Sequence, residues 1–219
     1  PGAEQHAALD AFRGGARDAA RARWRAPPSL GLVPTMGALH AGHLGIVERA
    51  RRENAVCAAS LFVNPTQFAP GADLSRYPAH AAELRRAALA ALARAGVDVV
   101  LAPADPGELF GDAHGTYVEP PPELCARAEG AARPGHFRGV ATVVTEPFGR
   151  FRPTRAYFGQ KDALQAAVLR VVARELDEAA RVVVVPTACA DDGLALSSRN
   201  VYLTDDQRAA APVVHAALA

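Results

Sequence analysis

Leu30-Gly31-Leu32-Val33-Pro34-Thr35-Met36-Gly37-Ala38-Leu39-His40-Ala41-Gly42-His43 is the stretch that decides the fold. Leu30–Val33 is a short apolar run stopped by Pro34, and it reads as a strand. A turn bearing Gly and His follows, and then a helix from about Gly42 to Arg52. Gly42 lets a ligand approach the backbone closely. A helix N-terminus offers unpaired N–H groups and the positive end of a dipole, which suits a phosphate. His40 and His43 stand three residues apart and can contact one phosphate chain. The rival reading is a metal pair, but no third ligand has a sensible spacing, since His114 and His136 lie in a loop remote in sequence. Purely structural histidines are the remaining alternative.

Outward from this unit, apolar runs alternate with helical patterns. Val56–Val63 reads as a second strand, closed by Asn64-Pro65. Residues 80–95 read as an Ala/Leu/Arg helix with Gly96 as its stop. Val97–Leu101 is a third strand. Residues 103–139 are rich in Pro and Gly and read mostly as loop, with a short strand expected at Thr116–Val118. Val140–Phe148 is helical, limited by Pro147. Arg155–Phe158 is a strand, and Asp162–Leu176 a helix whose Leu164, Val168, Val171, Val172 and Glu175–Leu176 form the inward stripe. Val182–Val185 is an apolar strand of the parallel type. Residues 186–200 are a polar loop, and Thr204 opens a last helix with Gln207 as its capping-box partner. Near the start, residues 4–25 read as a helix carrying Arg13, Arg17, Arg21 and Arg25 as one basic stripe, read as a solvated face. The alternation implies an α/β fold with a parallel sheet and helices on both faces. Ligands in such sheets bind at the carboxyl ends of the strands, at a topological switch point. Pro34–His43, Asn64–Gln67, Gly159–Asp162 and Asp191–Arg199 all fall at that edge.

Composition narrows the function. The chain has 219 residues, half of them hydrophobic, and a net charge of +1, so no nucleic-acid partner is called for. No apolar run reaches the ~18–20 residues of a membrane span, and no signal peptide is evident. Cys57, Cys125 and Cys189 are far apart and form no disulfide framework, which makes a reducing cytoplasm the expected setting. The first residue is Pro1 rather than Met, so the start is expected to be cut. Arginine supplies 23 of the 24 basic residues, and Lys161 is the only lysine. A lysine that survives such a bias is a candidate for a task needing a compact ammonium. Chance survival is the alternative.

Three further constellations lie at the strand ends. In Phe62-Val63-Asn64-Pro65-Thr66-Gln67-Phe68, the Asn64 and Gln67 amides suit a hydroxylated or carboxylated small molecule, although Asn-Pro also makes an ordinary turn. In Gly159-Gln160-Lys161-Asp162, Lys161 points from the strand end into the site, Asp162 can cap the next helix, and Gln165 follows one turn on. In Asp191-Asp192-Gly193-Leu194-Ala195-Leu196-Ser197-Ser198-Arg199-Asn200, two hydroxyls and an arginine on a Gly-hinged loop make a phosphate clamp or a plain polar loop.

Met36–His43, Phe62–Phe68, the run Arg133-Pro134-Gly135-His136-Phe137-Arg138-Gly139-Val140, Gly159–Gln165 and Gly193–Asn200 together resemble the pantoate–β-alanine ligase (pantothenate synthetase) family of HxGH nucleotidylyl transferases, in order and in spacing. The resemblance implies a Rossmann-like domain over residues 1–203, with 204–219 beginning a small C-terminal domain that is largely missing. It implies a homodimer that joins pantoate to ATP as pantoyl adenylate, which β-alanine then attacks to give pantothenate and AMP. By the same resemblance, Met36, Gly37, His40, Gly42, His43, Gly159, Lys161, Asp162, Ala188, Leu196, Ser197, Ser198 and Arg199 contact ATP. His43, His40, Lys161 and Arg199 carry the chemistry, with His43 in the acid–base position. Gln67 and Gln165 bind pantoate, Gln67 also lies near β-alanine, and Asn64 orders the site. Mg²⁺ is expected with ATP, and no residue is assigned as its ligand. Three positions depart from the family pattern. Gly45 replaces serine and should loosen the first helix, Gln160 replaces glutamate, and Glu146-Pro147 falls in a segment that is normally unbroken helix. The alternatives are a truncated chain that binds ATP and pantoate without turnover, another HxGH transferase acting on a phosphorylated acceptor, an aminoacyl-tRNA synthetase fragment, and a dimerisation module.

Overall fold

A computed structural model describes residues 28–68 and 82–218. The expected helix at 4–25, with Arg13, Arg17, Arg21 and Arg25, lies outside the described residues. Strand β1 (Leu30–Thr35) leads through a turn to α1 (Ala41–Glu53) and β2 (Val56–Leu61). A 3₁₀ turn (Pro65–Gln67) follows, then α2 (Ala82–Arg94) and β3 (Val99–Leu101). Short helices α3 (Pro106–Phe110), α4 (Pro122–Cys125) and α5 (Glu129–Ala132) lead to α6 (His136–Phe151). Then come β4 (Arg155–Gly159), a 3₁₀ turn (Gln160–Asp162), α7 (Ala163–Glu175) and β5 (Arg181–Val185). A 3₁₀ turn (Ser198–Tyr202) and helices α8 (Asp205–Ala210) and α9 (Val213–Leu218) close the described chain. Among the described residues no helix is long and apolar enough to cross a membrane.

All strand pairs are parallel, in the order β3-β2-β1-β4-β5. Side chains alternate across the sheet. Leu32, Ala58, Ala156 and Val182 pack with α6 and α7 residues such as Val144, Phe148 and Leu169. Val33, Cys57, Ala59 and Tyr157 pack on the other face with Val47 and Ala50 of α1 and Leu92 of α2. Helices therefore cover both faces, as the sequence pattern implies.

The order places the switch point between β1 and β4, whose following connections lead to β2 on one side and to β5 on the other. The Leu30 carbonyl faces β4 and accepts from Thr154, while the Thr35 carbonyl faces β2 and accepts from Phe62. By alternation Pro34 faces β4, where it has no N–H to give. Pairing with β4 is confined to Gly31 and Leu32, whereas pairing with β2 runs on through Thr35. The gap opened beyond Leu32 is where the site forms.

Gly96 ends α2 as expected. Its φ is +82°, the Val97 N–H returns to Leu92 O and the Gly96 N–H to Ala93 O, a Schellman pair. Thr204 and Gln207 form the expected capping box. Other expectations are corrected. Thr116–Val118 is not a strand, because the Val118 N–H bonds to the Thr142 hydroxyl instead of a neighbouring strand. Helix α6 is not stopped at Pro147 but runs on to Phe151. Burial of Val140, Val144, Phe148 and Phe151 outweighs the one hydrogen bond that proline removes. The inward stripe of α7 is Val168, Leu169, Val172 and Ala173, while Leu176 is 48% exposed. Residues 186–200 are not simply a loop. Cys189 and Ala195 form an antiparallel bridge closed by Gly193 at φ +86°.

Gly45 does not break α1. A Cβ built there meets nothing within 4 Å, on an exposed face. Gly45→Ala should therefore stabilise the fold by about 1 kcal/mol, the helix-propensity difference, and denaturant titration reads it directly.

Candidate active site

Two clefts open at the carboxyl ends of the strands. The first is lined by His40, Gly42 and His43 of the α1 entry, by Gly159, Lys161 and Asp162 after β4, by Gln165 of α7, and by Ala188 and Leu196 of the hairpin. The second is lined by Met36, Asn64 and Gln67, with an apolar wall from Phe62, Val140, Val143, Val144 and Pro147. Pro34, His43, Phe158, Asp162 and Gln165 border both, so the two form one continuous depression.

The two histidines build the mouth of α1. His40 is the N-cap, and its Nδ1 accepts from the Gly42 N–H at 3.2 Å. His43, three residues on, returns the bond, its Nδ1 accepting from the His40 N–H at 3.3 Å. The pair thus does the work of a Ser/Glu capping box. With each Nδ1 an acceptor, the proton of each neutral ring sits on Nε2. The rings lie 4.1 Å apart. Burial, then the neighbouring His40 and Lys161 charges, lowers the pKa of His43 to about 4. Burial, then Lys161, also lowers that of His40. Both imidazoles are consequently neutral hydrogen-bond donors at pH 7, not cations. The first turn of α1 holds no acidic residue to oppose an anion. A Cβ on Gly42 would come within 3.0 Å of the His40 ring and 3.5 Å of the Ala188 Cβ, narrowing the first cleft.

The folded pKa of His43 is depressed, so between pH 6.5 and about 4 the unfolded chain binds more protons. Stability from this group is present above the unfolded value and is lost as pH falls through the folded one. The His43 ring resonances should titrate near pH 4, and His43→Gln should flatten the acid limb of the stability curve.

Lys161 sits on the exposed 3₁₀ turn after β4, its Nζ 3.4 Å from Leu196 O. Asp162 occupies the N-cap of α7, but its side chain makes no cap bond, contrary to expectation, because the 3₁₀ turn already leads into the helix. In the second cleft Asn64 is 1% exposed. Its Nδ2 donates to Gln67 Oε1 (3.1 Å) and Gly139 O (3.0 Å), and its Oδ1 accepts from the Thr66 hydroxyl (2.8 Å). Gln67 Nε2 faces Met36 Sδ at 3.0 Å.

Other expected residues fall differently. Met36 lines the second cleft, not the first. Gly37, at φ +88°, is buried in the turn and lines neither. Ser197, Ser198 and Arg199 also lie outside the lining of both, with the Ser197 hydroxyl capping the Arg199 N–H (3.2 Å). Sequence reasoning gave no role to His136 and Gly139, which brace the second cleft from α6. Their only advance signal is the Arg133–Val140 run, since the contacts themselves span the chain.

A parallel sheet with a switch-point cleft, entered by a helix whose N-terminus two histidines cap, defines a doubly wound α/β protein with its cleft at the strand ends. The family model described as pantoate-beta-alanine ligase matches residues 13–219. The chain belongs to the pantoate–β-alanine ligase family. A pantothenate synthetase of Chloroflexus aggregans is 55% identical over 201 residues, which cover 92% of this chain and 70% of that protein. A Chloroflexus aurantiacus pantothenate synthetase is 54% identical, covering 86% of this chain and 65% of that one. The crystal structure of a Thermus thermophilus pantothenate synthetase superposes with a TM-score of 0.81 at 52% identity, covering 87% of this chain and 67% of that one. That of a Francisella tularensis pantoate-beta-alanine ligase, complexed with beta-gamma ATP and β-alanine, gives 0.80 at 34% identity, covering 90% and 73%. The chain spans about two thirds of the length of these relatives.

Proposed function

We propose that this chain condenses pantoate with β-alanine at the expense of ATP, through pantoyl adenylate, releasing pyrophosphate and AMP. The observation that carries this reading is the junction of two chemically different clefts at His43, Asp162 and Gln165. The first cleft suits a nucleotide, having a helix N-terminus, two neutral donors and one ammonium. Pantoate has a carboxylate, two hydroxyls and a dimethyl carbon. The second cleft offers amides to the polar end and a Val140/Val143/Val144 wall to the methyls.

In the first step a pantoate carboxylate oxygen attacks the α-phosphorus and the bond to the β-phosphate oxygen breaks. The site must align the reactants and offset charge on the phosphate oxygens. Nε2–H of His40 and His43 donates to those oxygens, and Lys161 supplies the positive charge. In the second step the β-alanine amine attacks the acyl carbon, the C–O bond breaks with its electron pair leaving on AMP, and the amine gives its proton to water. Gln67 and Gln165 hold pantoate and Asn64 holds Gln67. Gly42, Gly159, Asp162, Ala188 and Leu196 complete the nucleotide contacts, Met36 and Gly37 shape the turn before α1, and Ser197–Arg199 follow Leu196 as a phosphate clamp. Asp162 is the only carboxylate among the described lining residues, which suits Mg²⁺ held mainly by phosphates and water. Mg²⁺, when bound, neutralises phosphate charge. Residues 1–203 form the substrate-binding domain and 204–219 the first piece of a smaller one. A homodimer in a reducing cytoplasm completes the proposal, in keeping with three free cysteines.

Pyrophosphate release by the purified chain with ATP and Mg²⁺ tests this. Pantoate-dependent release, becoming multiple turnovers only with β-alanine, is expected. ATP and pantoate binding without release would instead identify a binder that does not turn over.

A further inference from the structure

Gln67 is held at both ends. Its side-chain amide lies between Asn64 Nδ2 and Met36 Sδ. Its backbone carbonyl lies 2.8 Å from Nδ1 of His136, a residue 69 positions away and 6% exposed. The tautomer follows from the other ring nitrogen. Nε2 of His136 is 3.1 Å from Nη1 of Arg133, and a guanidinium can only donate. Nε2 therefore accepts, the ring proton is on Nδ1, and Nδ1–H donates to Gln67 O. Arg133 is in turn paired with Glu129. A bonded path thus runs from Glu129 at the surface, through Arg133 and His136, to the backbone of Gln67. The same turn of α6 places Gly139 against Thr66 and lends its carbonyl to Asn64. Neither His136 nor Arg133 lines either cleft.

We propose that His136 is a positioning residue for the acid substrate, fixing the backbone of Gln67 so that its amide stays aimed into the second cleft. This rests on reading that cleft as the pantoate site. The alternative is that His136 merely fills a buried position at the start of α6. The two differ in selectivity, because a positioning role touches the second cleft and spares the first.

Calorimetric dissociation constants for pantoate and for ATP, on the chain and three variants, decide between them. His136→Leu removes the donor, His136→Asn keeps an N–H near the Nδ1 position, and Arg133→Met cuts the path at a half-exposed residue. Pantoate affinity is expected to fall ~10–50-fold in His136→Leu and ~3–10-fold in Arg133→Met, and to recover to within ~3-fold of the parent in His136→Asn, as for loss and return of one hydrogen bond to a ligand-holding group. ATP affinity should stay within about twofold in all three. Should His136→Leu fail to fold, the other two variants carry the test. Pantoate binding unchanged in the folded variants would overturn the proposal. So would an asparagine variant no better than leucine, or pantoate and ATP affinity falling together. A parent chain that binds ATP but no pantoate would fail the reading of the cleft itself and the proposal with it.

Discussion

Replacing Lys161 by alanine should slow pantoate-dependent pyrophosphate release about a thousandfold, the cost of removing one well-placed charge or donor from a charged transition state. The fold should survive. Lys161 is exposed on a three-residue 3₁₀ turn, belongs to no core cluster, and makes one long bond to Leu196 O. It borders the first cleft together with His40 and His43. Those histidines are neutral at pH 7, so Lys161 is the only cation among the described lining residues of that cleft. Lys161→Arg should not rescue, because a planar guanidinium cannot replace a compact ammonium at the same point. Single-turnover pyrophosphate release, with circular dichroism on the same samples, reads both halves. An active, folded alanine variant would remove Lys161 from the chemistry.

Gly139→Ala should be the most damaging small substitution among the described residues that brace the second cleft. Inside a helix this exchange ordinarily gains about 1 kcal/mol, the gain expected at Gly45. At Gly139 the new Cβ would overlap the Thr66 carbonyl and come within 2.7 Å of Gln67 Cα. Both obstacles are backbone, and the 3₁₀ turn that holds them is pinned by Asn64 and His136. Neither side can yield cheaply, so overpacking outweighs propensity. A net loss of about 3 kcal/mol, or roughly 6–12 °C in Tm, is expected. Calorimetric melting checks it, and pantoate affinity should fall in any folded fraction. The opposite signs at two helical glycines follow from what each Cβ would meet.

Much of this architecture can be read locally. The β1–α1 unit, the Gly96 stop and the Thr204/Gln207 cap depend on residues a few positions apart, and each appears where its pattern lies. The histidine pair was legible as two imidazoles at the mouth of α1. Its capping of that helix through both Nδ1 atoms was not, because histidine is not an expected capping residue. What failed locally was decided at long range. Pro147 should end a helix on propensity, but the core residues around it hold α6 together. Val118 has strand character, but its N–H found the Thr142 hydroxyl. The bond from His136 to Gln67 spans 69 positions and leaves no periodic trace. Asn64 and Gln67 could be picked out as amides at a strand end, where they line the second cleft, but not the α6 turn that holds them.

Above all, the two clefts are proposed to bring a carboxylate to the α-phosphate of ATP. The most direct measurement is a turnover with ATP, Mg²⁺, β-alanine and pantoate carrying ¹⁸O in its carboxylate, with products analysed by mass spectrometry. Attack on the α-phosphorus followed by C–O cleavage predicts one ¹⁸O in AMP and none in pyrophosphate. Label in orthophosphate, with ADP as the nucleotide product, would mean an acyl phosphate and would contradict the proposed chemistry.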